Sequence, residues 1–322
     1  MVRTKIEWAE QSWNPVIGCT PVSEGCDNCY ARRMAYRLRG RCGYPQNEPF
    51  KVTLHEERIL EPYYWHKPRR IFVCSMSDLF HPEIPDEFIY RVLLTMQQNP
   101  RHTFLLLSKR PERILRWNNL QKPWNSEEWP QNIWVGVTAE NQKRADERIP
   151  ILLQIPAAVR FVSCEPLLGP VDLSPYLGNL YFCNNPRHGQ LCPDGIMYAK
   201  DKQIIICRYC KQPVEIVHLL DWVICGGETG PGARPMHPDW VRNLRDQCMD
   251  AGVPFFFKSW GDWAPCWGGG MHLVYQDGRC MPGTHEHPDA WREKVAEPVM
   301  MLGKKAAGRI LDGRTWDDFP EV

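Results

Sequence analysis

The sequence lacks any apolar run long enough to cross a membrane. No stretch approaches the roughly 20 consecutive apolar residues that a spanning helix needs. The segment 1–8 carries Arg3, Lys5 and Glu7 and has no apolar run of the kind found in a secretory signal peptide. We therefore expect a cytoplasmic protein with no membrane partner.

An excess of charge of one sign is also missing. The 322 residues include 39 Lys and Arg against 38 Asp and Glu, for a formal net charge of +1. Global charge therefore gives no argument for a nucleic-acid partner, and only local basic patches can indicate one. The hydrophobic content of 43% and the length suit one large α/β domain with an insertion, or two small domains.

Cysteine, in contrast, is abundant. Fourteen cysteines in a reducing cytoplasm do not indicate a disulfide framework, and clustered cysteines favour metal or cluster ligands. Cys19, Cys26 and Cys29 form a C-x6-C-x2-C motif, and thiolates are the preferred ligands of iron–sulfur clusters. Three thiolates leave one iron of a [4Fe–4S] cluster open, as a reactive centre requires. A zinc site with a remote fourth ligand and unliganded core cysteines are the alternatives.

A second set of cysteines has the spacing C-x8-C-x14-C-x2-C, which resembles a zinc ribbon. Its members are Cys183, Cys192, Cys207 and Cys210. They fall in the segment 178–218, and a unit of about 40 residues cannot bury much core, so a metal would supply its folding energy. We expect Zn²⁺ there, with an auxiliary iron–sulfur cluster or no metal as alternatives.

Short apolar runs alternate with helical segments after residue 70. The runs cover 71–74, 103–107, 133–137, 159–162, 222–225 and 254–257, with helices expected over 85–98, 141–153 and 238–251. Most runs start about 30 residues apart, the length of one βα unit. The spacing predicts an α/β fold in which parallel strands curl into a partial or full (βα)6 barrel of the TIM type.

One interval, from residue 161 to residue 222, is about twice the usual step. We therefore predict a barrel domain made of 1–177 and 219–322, with a cluster loop over 14–30. The segment 178–218 is then an insertion that carries the second cysteine set.

Polar residues follow each apolar run. They are Ser75, Ser77 and Asp78; Ser108, Lys109 and Arg110; Thr138, Glu140 and Asn141; Ser163 and Glu165; Gly226, Gly227, Glu228 and Thr229; and Lys258 and Trp260. Parallel α/β proteins build their sites at the carboxyl ends of the strands. The set therefore predicts a site at that end, the alternative being that polar residues simply begin loops.

The segment after the first cysteine cluster is rich in arginine. Five arginines lie within 32–41, and Arg32, Arg33 and Arg37 are the candidates for gripping phosphates. The many tryptophans could stack on bases. A solvated helix face with buried aromatics is the alternative interpretation.

Several short motifs of the sequence resemble those of one family. They are Trp13-Asn14-Pro15, Gly25-Cys26-Asp27-Asn28-Cys29-Tyr30, Ser108-Lys109-Arg110-Pro111-Glu112-Arg113, Glu165-Pro166-Leu167-Leu168-Gly169-Pro170, the segment 226–235, Phe256-Phe257-Lys258, and the segment 303–308. With the cysteine triad, they resemble the phage-associated family of radical S-adenosylmethionine proteins near spore photoproduct lyase. The triad departs from the C-x3-C-x2-C spacing usual in that superfamily.

The resemblance implies a [4Fe–4S] cluster, S-adenosylmethionine, a 5′-deoxyadenosyl radical that removes a substrate hydrogen, and an electron donor such as flavodoxin or ferredoxin. Ser75, Ser77 and Asp78 would meet the methionine amino group. Glu140 and Ser163 would hold its carboxylate or the ribose. Gly226 and Gly227, with Glu228 beside them, would let the backbone approach the adenine, because glycine has no Cβ.

The same resemblance implies a substrate in phage DNA and, for a phage-encoded chain, the host cytoplasm. The reaction would be an isomerisation of a glycine-decorated thymine, from nitrogen-linked to α-carbon-linked, as part of thymidine hypermodification against host restriction. Two alternatives stay open: the same chemistry on a peptide or small molecule, and a non-catalytic, metal-dependent nucleic-acid-binding protein.

Overall fold

A computed structural model describes the main part of the chain. The described residues are 4, 6–120, 122–177, 179–183, 196–198, 205–207, 214–266, 270–283 and 296–321, with side chains left out for 120 and for those before 219 in the segment 179–218.

The strands of the described part are numbered in chain order. They are β1 (Gln11–Trp13), β2 (Val16–Ile17), β3 (Thr53–Leu54), β4 (Arg70–Val73), β5 (Thr103–Ser108), β6 (Ile133–Thr138), β7 (Arg160–Cys164), β8 (Asn179–Cys183), β9 (Ile196–Tyr198), β10 (Ile205–Cys207), β11 (Val214–His218), β12 (Trp222–Gly226), β13 (Phe255–Ser259), β14 (Trp263–Pro265), β15 (His272–Tyr275), β16 (Cys280–Pro282) and β17 (Ala296–Met301).

The helices of the same residues are α1 (Tyr30–Leu38), α2 (Asp86–Gln97), α3 (Pro111–Leu120), α4 (Gln142–Leu152), α5 (Pro238–Ala251) and α6 (Lys304–Ala307). Short 3-10 turns cover Glu24–Cys26, Glu56–Arg58, Glu61–Tyr64 and Ser174–Tyr176.

The centre of the molecule is an open sheet of seven parallel strands, curled into a half barrel. Its strand order is β1-β4-β5-β6-β7-β12-β13, and every neighbouring pair is parallel. All six predicted strands are present with ends within two residues of the prediction, so the expectation of a partial barrel is confirmed. The edge strand β1 was not predicted, because three residues, Gln-Ser-Trp, carry no usable alternation.

Helices α2, α4 and α5 also match the predicted segments to within one residue at each end. Their ends have local causes. The Asn141 side chain accepts a hydrogen bond from the backbone N–H of Arg144 and caps α4. Helix α5 has Pro238 in its first turn and ends at Gly252, whose φ of 68° is the left-handed conformation that glycine adopts freely.

The sheet buries both of its faces, and alternate residues of each strand divide between them. On one face, residues such as Val73, Leu106 and Val135 pack against the helices. On the concave face, Phe72, Leu105 and Trp134 belong to a second, aromatic core with Phe161, Trp222 and Phe256. Successive residues of a strand therefore point into two different apolar layers, and both kinds of position are apolar. This is why the strands appear in the sequence as continuous apolar runs.

Both ends of the described chain pack into the concave face. The Trp8 ring lies 4.6 Å from the Phe72 ring, between centroids, and Phe319 lies 5.1 Å from Trp222. The Trp222 indole N–H donates to the Asp318 carbonyl at 2.9 Å. These contacts fill the concave side of the half barrel with aromatic rings.

Several strands form smaller sheets that are separate from the seven-stranded sheet. Strands β14-β17-β15-β16 form an antiparallel sheet, while β8 pairs with β11 and β9 with β10. Strands β8 to β11 fall between β7 and β12, which are direct neighbours in the main sheet. Of the helices in the described part, none is long and apolar enough to span a membrane.

Candidate functional site

A cavity of about 500 Å³ opens at the carboxyl ends of the parallel strands. Trp8, Phe72 and Leu107 form its apolar floor, and Cys19, Cys26 and Cys29 all line its wall. Of the other predicted site residues, the lining includes Ser75, Ser77, Asp78, Ser163, Gly227 and Glu228. Glu140 and Gly226 lie outside the lining.

The three cysteines differ in their surroundings. Burial raises the pKa of Cys19 to about 11, Asp78 adds to the rise, and Arg110 opposes it with a guanidinium nitrogen 3.6 Å from the sulfur. The hydroxyl of Ser23 lies 3.9 Å from the Cys26 sulfur. Cys29 precedes the first residue of α1, at the positive end of the helix dipole. None of the three forms a disulfide bond.

The donor set fits an iron–sulfur cluster in chemistry, since three soft thiol ligands share one cavity wall. In the described part of the chain, no three His, Cys, Asp or Glu side chains converge on a point that would hold a single metal ion. A cluster makes a different demand, because each of its three thiolates binds a separate iron. Binding of a cluster would have to displace the proton that the raised pKa keeps on Cys19.

The residues 19–29, here called the cysteine loop, dock on the end of β6. The Ser23 hydroxyl donates to Glu140 Oε1 at 2.6 Å, and Arg144 pairs with Glu24 at 2.8 Å. A Cβ added at Gly25 would lie 2.3 Å from Glu140 Oε1, so only glycine fits there. These contacts account for the six-residue gap between Cys19 and Cys26, because its residues reach across the strand end.

Glu140 is fully buried and is held by two cations. Lys109 Nζ lies 2.5 Å from Oε1, and an Arg148 nitrogen lies 2.8 Å from Oε2. Burial alone would raise the pKa of Glu140, but Lys109 and Arg148 outweigh it and the pKa is lowered. The structure thus places this predicted cofactor ligand beneath the cysteine loop, where it anchors Ser23.

A second anchor joins the cysteine loop to the end of β12. Glu228 accepts hydrogen bonds from Arg234 at 2.7 Å and from the Asn28 amide at 2.9 Å. Arg234 also reaches Asp27 at 3.2 Å and the Glu24 carbonyl at 2.8 Å. Although burial opposes it, hydrogen bonding from Arg234 keeps the pKa of Glu228 below its usual range.

The predicted residues after β4 are tied to the segment that precedes Cys19. The Ser77 hydroxyl donates to the Gly18 carbonyl at 2.5 Å, and the Ser75 hydroxyl donates to the Asn14 side chain at 3.2 Å. Asp78 accepts from the Ser108 hydroxyl at 2.8 Å and from Arg110 at 2.8 Å. Asp78 therefore positions Arg110, which lies beside Cys19.

Lys258 and Glu165 form an ion pair in the cavity wall, with Nζ 2.9 Å from Oε1. Glu165 Oε2 accepts from the Trp8 indole at 3.2 Å and from the Ser163 hydroxyl at 3.0 Å. The sequence places both charges directly after predicted strands, but it gives no signal that they pair.

The two glycines after β12 face protein atoms at close range. A Cβ at Gly226 would lie 2.9 Å from Glu165 Oε1 and 3.4 Å from the Lys258 Cβ. A Cβ at Gly227 would lie 2.0 Å from the Trp260 carbonyl oxygen. Gly226 therefore makes room for the ion pair, and Gly227 admits the turn after β13.

The three predicted phosphate-binding arginines lie on α1, which begins at the cavity. Arg33 donates to the Thr229 carbonyl and, at 3.4 Å, to the Pro231 carbonyl, so it ties α1 to the loop after β12. Arg32 lies 5.8 Å from the centroid of the Phe50 ring. Arg37 is exposed, and so are Arg39 and Arg41 just beyond the helix.

The second cysteine set lies outside the residues for which side chains are described. Only the backbone is described for Cys183 and Cys207, while Cys192 and Cys210 fall outside altogether. The zinc site stays a prediction from spacing.

The fold and the cavity define the class: an α/β protein with a parallel half barrel and a cysteine-lined cavity at the carboxyl ends of its strands. A family model, DUF5131, described as a protein of unknown function, matches residues 3–320, and the chain belongs to that family. Comparison with curated proteins and with solved structures gave no match.

Proposed function

We propose that this protein is a radical S-adenosylmethionine enzyme that modifies a base in DNA. One observation carries the proposal: three free cysteines line a single cavity at the carboxyl ends of an open parallel half barrel. A purely structural metal site would need a fourth protein ligand, whereas a triad leaves one position for a reactant.

Cys19, Cys26 and Cys29 would hold a [4Fe–4S] cluster, and Ser75, Ser77, Ser163 and Gly227 line the same cavity. The three serine hydroxyls already donate within the protein, so towards S-adenosylmethionine they would act as hydrogen-bond acceptors. When bound, this pair supplies a 5′-deoxyadenosyl radical at the expense of one electron from a donor such as flavodoxin or ferredoxin. Glu140 is already committed to Lys109 and Arg148, so its contribution is to hold the cysteine loop.

The protein's own residues would exclude water and balance charge. The floor of Trp8, Phe72 and Leu107 closes the cavity from below, which protects a reactive species from solvent. Arg110 stands beside Cys19 and would favour its thiolate form, because a nearby cation stabilises the ionised sulfur.

A nucleic-acid substrate is favoured by the position of α1. The helix starts directly after Cys29, and its first residues line the cavity. The exposed Arg37, Arg39 and Arg41 follow within the next ten residues of the chain. Exposed arginines beside a cavity of about 500 Å³ suit a strand whose target base is flipped into the pocket.

The specific reaction we propose is the isomerisation of a thymine that carries glycine on its methyl carbon. The bond between that carbon and the glycine nitrogen breaks, and a bond to the glycine α-carbon forms. The hydrogen lost by the α-carbon is regained at nitrogen, so no net oxidant or reductant is consumed. In a phage-infected cell, this change to the base would help phage DNA to resist the restriction nucleases of the host.

The cluster assignment is tested by Cys26→Ala, with Cys280→Ala as the matched control, because Cys280 is exposed on β16 and away from the cavity. We expect anaerobically reconstituted wild type and Cys280→Ala to bind about four iron and four sulfide per chain. Cys26→Ala should lose the cluster and its electron paramagnetic resonance signal. Equal iron and sulfide in both variants would refute the assignment.

The substrate class is tested by mass spectrometry of nucleosides. DNA that carries the nitrogen-linked glycine on thymine is incubated with S-adenosylmethionine and either wild type or Cys26→Ala under reducing, anaerobic conditions. We expect a new nucleoside of unchanged mass and different retention with wild type only. An unchanged nucleoside profile, in a sample that does cleave S-adenosylmethionine, would contradict the DNA substrate and favour a peptide or small molecule.

For the segment 178–218, we propose one Zn²⁺ held by Cys183, Cys192, Cys207 and Cys210. The proposal rests on their spacing.

A further inference from the structure

The ion pair of Lys258 and Glu165 is not used by the chemistry proposed above. It lies in the cavity wall, on β13 and directly after β7, with side chains 24% and 13% exposed. Charged groups are costly to keep in a partly buried, apolar-floored pocket unless they have partners or a ligand.

The two partners are unequally satisfied. Glu165 receives hydrogen bonds from Lys258, Trp8 and Ser163, which occupy both carboxylate oxygens. Lys258 has three N–H donors, and among the described residues only Glu165 pairs with it. The lysine therefore keeps donors for a ligand, whereas the glutamate is held in place.

Lys258 is also a fixed cation. Burial alone would lower its pKa, but the charge and hydrogen bond of Glu165, with Glu7 further away, outweigh burial and raise the pKa of Lys258. A lysine in this state stays protonated at neutral pH and serves to bind an anion, not to abstract a proton.

We propose that Lys258 binds a carboxylate carried by the substrate base, with Glu165 and Trp8 as positioning residues that hold the lysine in the cavity wall. The pair as it stands has no net charge. One singly charged anion brings the pair to −1, while a phosphate monoester dianion would bring it to −2 and be repelled more strongly by the Glu165 carboxylate. The phosphodiesters of DNA are singly charged too, but they belong to the backbone and not to a base held in the cavity. This deepens the proposed function and rests on it for the substrate class.

The test uses the full-length, anaerobically purified protein and three DNA duplexes that differ at one central thymine. The methyl carbon of that thymine carries a carboxymethylamino group, its carboxamide, or nothing. For wild type we expect affinity for the carboxylate duplex to exceed affinity for the carboxamide duplex roughly 10- to 100-fold, the range for a hydrogen bond to a charged group. Lys258→Met should abolish that preference, and Lys258→Arg should keep part of it.

Lys305→Met is the matched control, because Lys305 is exposed on α6 and is not among the residues that line the cavity. Its carboxylate preference should equal that of wild type. Since Lys258→Met leaves Glu165 without its cation, the double variant with Glu165→Gln is measured in parallel, and its unfolding transition reports whether the fold is intact. The double variant should also lack the preference.

Equal binding of the carboxylate and carboxamide duplexes by wild type would overturn the proposal, and so would an unchanged preference in a folded Lys258 variant. The carboxylate of S-adenosylmethionine is the other source of this chemistry. Lower affinity for S-adenosylmethionine in Lys258→Met, with the DNA preference intact, would overturn the assignment to substrate. These binding measurements need no turnover, so their outcome is separate from that of the proposed reaction.

Discussion

At the scale of single residues, glycines and charges fit one another around the cavity. Gly25 leaves space for Glu140, and Gly226 leaves space for the Glu165–Lys258 pair. Gly226 and Gly227 were expected to admit a ligand, but a Cβ added at either would meet the protein itself, Glu165 in the first case and Trp260 in the second. A glycine next to a strand end therefore indicates a close approach without identifying which group approaches.

Gly226→Ala tests this interpretation. Its added Cβ would lie 2.9 Å from Glu165 Oε1 and push the carboxylate away from Lys258. We expect the free energy of unfolding to fall by about 1 to 3 kcal/mol, as for overpacking in a filled site. The measurement is denaturant unfolding, with Gly169→Ala as control, because its added Cβ would meet Asn141 at an ordinary 3.5 Å. Equal stability of both variants would contradict the assigned role of Gly226.

At the scale of elements, the cysteine loop is the segment whose structure depends most on distant parts of the chain. Its anchors lie at the ends of β6 and β12, more than 100 residues away in sequence. The cysteine motif was evident from the sequence because its three cysteines are close together along the chain. The anchors were not, since Ser23 and Glu140, or Asn28 and Glu228, become neighbours only when the parallel strands align.

Glu140→Gln tests the first anchor. Because Lys109 and Arg148 lower the pKa of Glu140 in the folded protein, its contribution to stability is complete above the ordinary value of 4.5 and is lost as pH falls towards the lowered value. At pH 7 we expect Glu140→Gln to cost about 3 kcal/mol, since the buried Arg148 and the partly buried Lys109 lose their charged partner.

The check is denaturant unfolding from pH 7 down to pH 3. Wild type should lose more stability than Glu140→Gln as pH falls below 4.5. Glu48→Gln is the control, because Glu48 pairs with Lys51 on the surface, where such pairs contribute about 0 to 1 kcal/mol. Parallel pH profiles for wild type and Glu140→Gln would contradict the anchor.

At the scale of the whole molecule, the sequence predicted the strands of the half barrel but not what fills it. The six apolar runs sufficed for the strands, because parallel strands buried on both faces are continuously apolar. The aromatic filling is different: Trp8 and Phe319 come from opposite ends of the chain, and no local pattern places either of them against Trp222. Likewise, the strand-end rule located the cavity residues without showing which of them pair.

The central claim is that the cysteine triad supports reductive cleavage of S-adenosylmethionine. It is tested most directly by quantifying 5′-deoxyadenosine after anaerobic incubation of the reconstituted protein with S-adenosylmethionine and dithionite. We predict that wild type and Cys280→Ala form 5′-deoxyadenosine and methionine, while Cys19→Ala, Cys26→Ala and Cys29→Ala form none. The absence of 5′-deoxyadenosine from wild type that carries a full cluster, or its undiminished formation by the triad variants, would contradict the account.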